Sequence, residues 1–391
     1  MSLQTETPLQ QFELTEPQKM LRQTVRELTL RHIAPRAAEI DEADAYPEDI
    51  FQLHKAHDLL GVFLSEEWDG GGMGFLGGCI AIEEIGRICS NSALFIVLTM
   101  LPSRAIELSG SEAQKKRYLP ALARGELRAA FSLTEPHAGS DAGNIRTRAV
   151  REGEEWVING VKSFCTGPSA ADFIILAAKT DPDAGTRGIT MFIVPTDTPG
   201  FRITRHERKL GMRGIPTCEL LFENCRIPAE NQVGPLHQGF KTAMTGFSQM
   251  RPAIGARGVG LAQGCLDYAG NYAKEREAFG KPIAEFQAIQ FMLADMFMGI
   301  EAARLLVHRA AAMVDAGQIG KENARFFSTA KCFAADVAMK AALDGLQVLG
   351  GAGYMKDHPL ERFMRDAKQL QIVEGTNQIQ RMIIARNLLD I

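Results

Sequence analysis

Apolar periodicity changes twice along this chain, and that pair of changes limits what it can fold into more than any other feature. From Thr15, apolar residues recur at three- and four-residue steps, with Leu21, Val25 and Leu28 marking an amphipathic helix. Thr15 and Gln18 form a candidate capping box and Pro17 falls in the first turn, where a missing N–H costs nothing. Helical stretches continue to about Gly125. Between about Ala129 and Gly234 the texture becomes short runs, EWVING, FIILAAK, TMFIV and CELLF, broken by Gly, Pro, Asp and Asn, which predicts strands. After Gln238 long helical segments return around AIGARGVGLAQGCLDYAGNYAKEREAF and EFQAIQFMLADMFMGIEAARLLVHRAAAMVDAG. The expected architecture is α+β and multidomain: a helical domain over 1–127, a β domain, barrel-like or sandwich, over 128–236, and a helix bundle over 237–391. No internal repeat or low-complexity linker separates them, so they are expected to pack as one unit.

At 391 residues, 46% hydrophobic and 23% charged, the chain is large enough to bury a sizeable cofactor. Its 43 basic and 47 acidic residues give a net charge of −4, which leaves no electrostatic footprint for nucleic acid or an anionic membrane. The seven cysteines show neither CxxC spacing nor a regular framework, so they read as reduced packing residues with no metal expected. The longest apolar runs, such as ALFIVLTML (Ala93 to Leu101), are too short to span a bilayer, and no signal-like segment opens the chain. The expectation is a soluble, cytoplasmic protein without membrane insertion.

Four motifs carry candidate chemistry. In FSLTEPHAGSD (Phe131 to Asp141) the small and hydroxyl residues Ser132, Thr134, Gly139 and Ser140 let backbone amides approach a flat polar ligand or a phosphate; the alternative is a solvated Pro/Gly turn, with His137 a surface residue. In KSFCTG (Lys162 to Gly167) strand alternation puts Phe164 and Thr166 on one face, where they could flank a planar ring or belong to an ordinary strand. In REAFGKPIAEFQAIQ, Arg276 follows one long helix and Gln287 opens another, and the arginine fork suits a pyrophosphate. In QVLGGAGY (Gln347 to Tyr354), Gly350, Gly351 and Gly353 interrupt a helix and favour a tight turn or close approach by a ligand. No strand precedes a GxGxxG there, which excludes a Rossmann reading.

FSLTEPHAGSD, then QVLGGAGYMKDHPLERFMRDAK, then VEGTNQIQR, in that order and spacing, resemble the acyl-CoA dehydrogenase family over nearly the whole chain. The resemblance implies a helical N-terminal domain, a β domain and a C-terminal four-helix bundle, with FAD between the last two and across a subunit interface of a homotetramer, a dimer of dimers. It further implies that Phe131, Ser132, Leu133, Thr134, Gly139 and Ser140 line the flavin, with Phe164, Cys165 and Thr166 against its ring. The adenosine half falls to Arg276, Phe279 and Gln287, to Gln347, Val348, Leu349, Gly350 and Gly351, and to Thr376, Asn377 and Gln378. Ser140, Gln249, Met250, Arg251, Pro252 and Gly375 are implied to contact acyl-CoA, and an electron-transfer flavoprotein is the implied electron acceptor.

Glu374, in QIVEGTNQIQR, has two readings. Locally it complements the N-terminus of a helix capped by Thr376 or Asn377, with Ile379, Met382 and Ile383 as its apolar stripe. The resemblance makes it the base that removes the α-proton of an acyl-CoA while the β-hydrogen leaves as hydride to the flavin. A carboxylate without ion partners in a dry pocket has its proton affinity raised, by roughly 2 units above about 4.3, toward working pH. The developing enolate is polarised, by the same resemblance, by the Glu374 N–H and a ribityl hydroxyl. Some relatives carry the base where this chain has Met250, which cannot serve, so Glu374 is the remaining candidate.

Ala93, Leu94, Val97 and Leu98 stand where relatives form the acyl pocket floor, and they carry no charge; Ala93 replaces the arginine of glutaryl-CoA-type relatives. An uncharged acyl group is therefore expected, although the same run also reads as a core helix. Ser248 and Phe164 depart from the Asp and Trp frequent in straight-chain members. Two other readings stay open: a repurposed relative (an acyl-CoA oxidase, enoyl-CoA reductase or desulfinase), or a non-catalytic helical scaffold.

Overall fold

The computed structural model describes residues 13–390. Helices α1 (Glu16–Leu28), α2 (Ala37–Ala43), α3 (Glu48–Ala56), α4 (Gly74–Gly86), α5 (Ser90–Ser109) and α6 (Glu112–Ala123) come first. At the start of α1, Gln18 accepts the Thr15 N–H at 3.0 Å, as the capping pattern predicts. Helix α5 runs well beyond the apolar run seen in the sequence. Its 20 residues, with a mean hydropathy of 1.3, are long and apolar enough to cross a membrane, yet 67% of that stretch is buried inside the protein. It is a core helix here.

The middle of the chain forms β1 (Ala129–Ser132), β2 (Arg148–Glu152), β3 (Glu155–Thr166), β4 (Phe173–Lys179), β5 (Ile189–Pro195), β6 (Phe201–His206), β7 (Thr217–Pro228) and β8 (Gln232–Val233). They make one mixed sheet in the order β6-β7-β3-β2-β4-β5-β8, with β1 added parallel to β4. Strands β4 and β5 are buried on both faces, which is why FIILAAK and TMFIV read as continuous rather than alternating apolar runs. Strands β2 and β6 are mostly exposed and polar, and carry too little apolar periodicity to be recognised in sequence.

Then follow α7 (Gly239–Glu275), a hairpin of β9 (Glu277–Ala278) and β10 (Lys281–Pro282), α8 (Gln287–Asp315), α9 (Ala324–Leu349), α10 (Leu360–Leu370) and α11 (Asn377–Leu389). One hydrophobic core joins the N-terminal helices to this bundle, through residues such as Ile82, Ile85 and Val97 on one side and Ala253, Ile254 and Val259 on the other. The β domain keeps its own core around Ile158, Ile174, Leu176 and Phe192. Helices α4 and α7 approach so closely that a Cβ on Gly260 would lie 2.2 Å from the Glu83 carbonyl oxygen, and one on Gly264 2.0 Å from that of Arg87. Glycine at both positions is therefore what lets the two helical parts share a core.

One expectation about the last helix needs correction. Helix α11 does not bury the stripe of Ile379, Met382 and Ile383; its buried residues are Asn377 and Gln380, and Met382 is exposed. The polar side turns inward because Lys331 and Asp336 of α9 hydrogen-bond Asn377 there. All seven cysteines are buried and free, in keeping with a packing role.

Candidate active site

Glu374 lies in the turn between α10 and α11. The Gln369 carbonyl accepts the Ile372 and Val373 N–H groups at 2.9 and 3.0 Å, closing the end of α10. The next two residues are left-handed, Glu374 at φ 52° and Gly375 at φ 88°. For glutamate that conformation costs roughly 1–2 kcal/mol, so the surroundings must hold it. Gln380 Nε2 donates to both the Glu374 and Gly375 carbonyls at 3.0 Å, and Lys331 Nζ donates to the Gly375 carbonyl and to Asn377 Oδ1 at 2.9 Å. A side chain at Gly375 would put its Cβ 2.7 Å from Gln380 Nε2, so the clamp requires glycine. Thr376 caps α11, its hydroxyl accepting the Ile379 N–H at 3.3 Å. Glu374 therefore stands two residues ahead of the Thr376 cap, before the helix as the sequence suggested, on a left-handed backbone that the sequence did not reveal.

The Glu374 residue is partly accessible, but its Oε2 is enclosed and has no donor among the described residues. Burial pushes its carboxyl up to about 7, against the opposing pull of Lys331, Arg257 and Arg251. The direction matches the sequence expectation, but the surroundings do not: three cations lie in its field, and of these only Arg251 was among the expected site residues. The hydrogen bonds that each makes go to neutral acceptors. Arg251 donates to Ser328 Oγ at 2.9 Å, and Arg257 to Ser90 Oγ and Gln369 Oε1 at 3.2 and 3.0 Å. The only sequence clue to Arg257 and Lys331 is a charge inside an otherwise small and apolar helical run, ARGVG and TAKCFAA.

The FSLTEP segment and the end of β3 are adjacent: the Ser163 N–H donates to the Thr134 carbonyl at 2.9 Å. They are locked by a buried ion pair that sequence reasoning missed, Lys162 Nζ to Glu135 Oε1 at 2.8 Å. Glu135 also accepts the Arg146 and Thr147 amides at 2.6 and 3.0 Å, and Lys162 donates to the Leu133 carbonyl at 2.9 Å. Burial pushes the Glu135 carboxyl up, but the Lys162 charge and these hydrogen bonds outweigh it and hold it below its ordinary value. Burial pulls Lys162 down to about 8. At neutral pH both groups stay charged.

Beside this lock the register of β3 against β7 slips between Lys162 and Cys165, and Phe164 takes φ 56°. This bulge was not foreseen from simple alternation. It turns Phe164 outward, 62% exposed, while Cys165 is buried and Thr166 half-buried. An aromatic face held out on a strained bulge, next in sequence to Cys165 with Ser132 close by, whose buried Oγ has no hydrogen-bond partner among the described residues, fits a planar ring with hydrogen-bonding edges.

The remaining expected residues divide by what they can offer. Leu133, Val348, Leu349 and Met250 are buried in hydrophobic cores and the Asn377 side chain is committed to Lys331 and Asp336, so any ligand meets their backbone. Gln249 is buried against Arg104 of α5, and Pro252 lies inside α7. Gly350 and Gly351 have open space where a Cβ would stand, as has Gly139. Ser140 and Gln378 are exposed. Arg276 and Gln287 bracket the β9–β10 hairpin, on which Phe279 is 96% exposed at φ 53°. Among the described residues its ring has Phe286 edge-on at 6.0 Å between centroids and is otherwise open.

Comparison with known proteins agrees with the three-part fold. The chain matches the family models described as acyl-CoA dehydrogenase N-terminal, middle and C-terminal domains over residues 15–126, 130–225 and 237–389. It is 46% identical over 379 residues to a probable acyl-CoA dehydrogenase, FadE25, of Mycobacterium tuberculosis, covering 97% of each chain. It is 45% identical over 378 residues to a cyclohex-1-ene-1-carbonyl-CoA dehydrogenase of Syntrophus aciditrophicus, covering 96% of this chain and 91% of that one. The solved structure of butyryl-CoA dehydrogenase from Megasphaera elsdenii superposes with a TM-score of 0.93 at 38% identity, covering 97% of this chain and 99% of that one. With the three-part fold, the order of the motifs and the isolated carboxylate in agreement, this chain belongs to the acyl-CoA dehydrogenase family.

Proposed function

We propose that the protein is an FAD-dependent dehydrogenase that converts an uncharged acyl-CoA thioester to the trans-2-enoyl-CoA, with Glu374 as the base. The observation that carries this reading is the state of Glu374: a carboxyl with an enclosed, unpartnered oxygen, pushed up to about 7, held at a left-handed turn by Gln380 and Lys331. Such a group takes up a proton near neutral pH, as a general base should. Its own N–H donates to no group among the described residues, which leaves it free to polarise a thioester carbonyl as enolate charge develops. The cations around it, Lys331, Arg251 and Arg257, favour that developing charge.

FAD, when bound, supplies the acceptor for the β-hydrogen as hydride. Phe131 to Thr134, Gly139, Ser140 and Phe164 to Thr166 would hold its ring system. Arg276, Phe279, Gln287, the Gln347 to Gly351 turn and Thr376 to Gln378 would hold its adenosine half across subunits. The apolar face left open on α8 and α9, with Phe291, Phe297, Met298, Leu305 and Leu343 all close to half exposed or more, supports a homotetramer. An electron-transfer flavoprotein is the proposed acceptor and the cytoplasm the proposed site of action. The domain divisions at 127/128 and 236/237 belong to the same reading.

Anaerobic titration of the flavin-loaded protein with short, branched, cyclic and dicarboxylyl acyl-CoAs tests the proposal. Bleaching of the flavin by uncharged acyl groups is the expected result. No bleaching by any of them would remove the dehydrogenase reading.

A further inference from the structure

Among the described residues, Arg257 of α7 is the bulkiest side chain to be fully enclosed. Its guanidinium joins three regions: it donates to Ser90 Oγ of α5 at 3.2 Å, to Gln369 Oε1 of α10 at 3.0 Å, and to Met212 Sδ at 3.2 Å in the loop between β6 and β7. All three acceptors are neutral, and its Nε is enclosed without an acceptor among the described residues. Buried cations are ordinarily matched by a carboxylate in contact, because leaving water is otherwise too costly. The acids acting on Arg257 are Asp366 and Glu374. Asp366 is already engaged: it accepts the Met212 N–H and also faces Arg362 and Arg365. The Glu374 Oε2 has no hydrogen-bond partner among the described residues.

The same arginine is tied to the turn that carries Glu374. Gln369, which takes its hydrogen bond, uses its backbone carbonyl to hold the Ile372 and Val373 amides. We propose that Arg257 is a positioning residue for proton abstraction: through Gln369 it fixes the Glu374 turn, and its uncompensated positive charge favours the ionised carboxylate that accepts the α-proton. The inference rests on the reading of Glu374 as the base. The charged groups facing Glu374 are Lys331 from α9 and Arg251 and Arg257 from α7. Of the Lys331 and Arg257 pair, only the arginine cannot lose its charge near neutral pH, since burial pulls Lys331 down to about 8 and Arg257 only to about 10.

The test is rapid anaerobic mixing of the flavin-loaded protein with its best acyl-CoA, recording the rate constant of flavin bleaching between about pH 5 and 9. In Arg257→Met the acid limb should move up by on the order of one pH unit, so that the rate on that limb falls roughly tenfold below the parent protein. Arg257→Lys, which keeps a charge, should leave the limb near its original place. Gln369→Glu gives the guanidinium a carboxylate without emptying the site and should also move the limb up; it serves where Arg257→Met does not fold. An unmoved limb in Arg257→Met, or in Gln369→Glu in its place, overturns the proposal, as does a shift in Arg257→Lys equal to that in Arg257→Met. Glu374→Gln in the same assay separates the two claims. Normal bleaching in that variant removes the base itself, whereas lost bleaching with unmoved limbs in the other variants removes only the role of Arg257.

Discussion

Glu135 and Glu374 are both glutamates with enclosed carboxyl oxygens and a buried lysine nearby, and they end in opposite states. Glu135 receives Lys162 at 2.8 Å and two backbone amides, so its charge is satisfied by contact and its proton affinity falls. Glu374 has Lys331 close enough to act on it, but that ammonium is spent on the Gly375 carbonyl and Asn377. No donor reaches its Oε2 among the described residues, and its proton affinity rises. The presence of an opposite charge does not distinguish the two sites. Direct hydrogen bonds to the carboxylate do, because they replace the water that burial removed. One glutamate is thereby made a structural lock, and the other is left with the raised proton affinity that the proposed base requires.

The contrast breaks most visibly at Glu374. Glu374→Gln keeps the shape and removes the proton acceptor, so flavin bleaching by acyl-CoA should slow by roughly 10²–10⁴-fold, read by rapid mixing. Lys162→Met tests the other half. It leaves Glu135 buried and unpaired and should cost about 3–5 kcal/mol of stability, read as a lower denaturant midpoint, while Glu135→Gln added to it should recover much of the loss. If Lys162→Met is as stable as the parent, the lock is not one.

A smaller effect sharpens the comparison through pH. The folded protein keeps the Glu374 proton up to about 7, whereas an unfolded chain releases it near the ordinary 4.5. Ionising Glu374 therefore works against folding: stability declines as pH rises through that window and is level above it. The window corresponds to at most about 3 kcal/mol. Glu374→Gln should melt higher than the parent at about pH 8, and the gain should shrink as pH falls through the window and vanish below about pH 4, where both states hold the proton. A gain independent of pH would point to packing instead. Smallest of all, Thr376→Ala removes the α11 cap and should cost about 1 kcal/mol, measured by denaturant titration. That would show the cap and the base to be separate functions of neighbouring residues.

Much of the fold was legible in the sequence because periodicity and breakers are local. Gln238 and Arg276 flank α7, and Gln287 opens α8, where the pattern placed them. The exposed strands β2 and β6 were not legible, since a polar edge strand has little apolar alternation to reveal it. Glu374 could be singled out because it stands in a motif of the family, VEGTNQIQR. Its left-handed backbone, the clamp from Gln380 and the cations around it could not, since each depends on residues that meet only after α7, α9 and α10 have packed.

The sequence by itself determined the order of helical, β and helical parts, the two long helices, the glycine turn after α9, a cap at Thr376 or Asn377 and the acid that precedes Gly375. Only the tertiary structure decided which glutamate is held charged by contact and which is left ready to take a proton. Secondary structure follows from residues a few positions apart, whose spacing is written in the chain. Proton affinity follows from burial and from donors contributed by distant segments: Lys162 lies 27 positions from Glu135, and Lys331 meets the Gly375 carbonyl from 44 positions away.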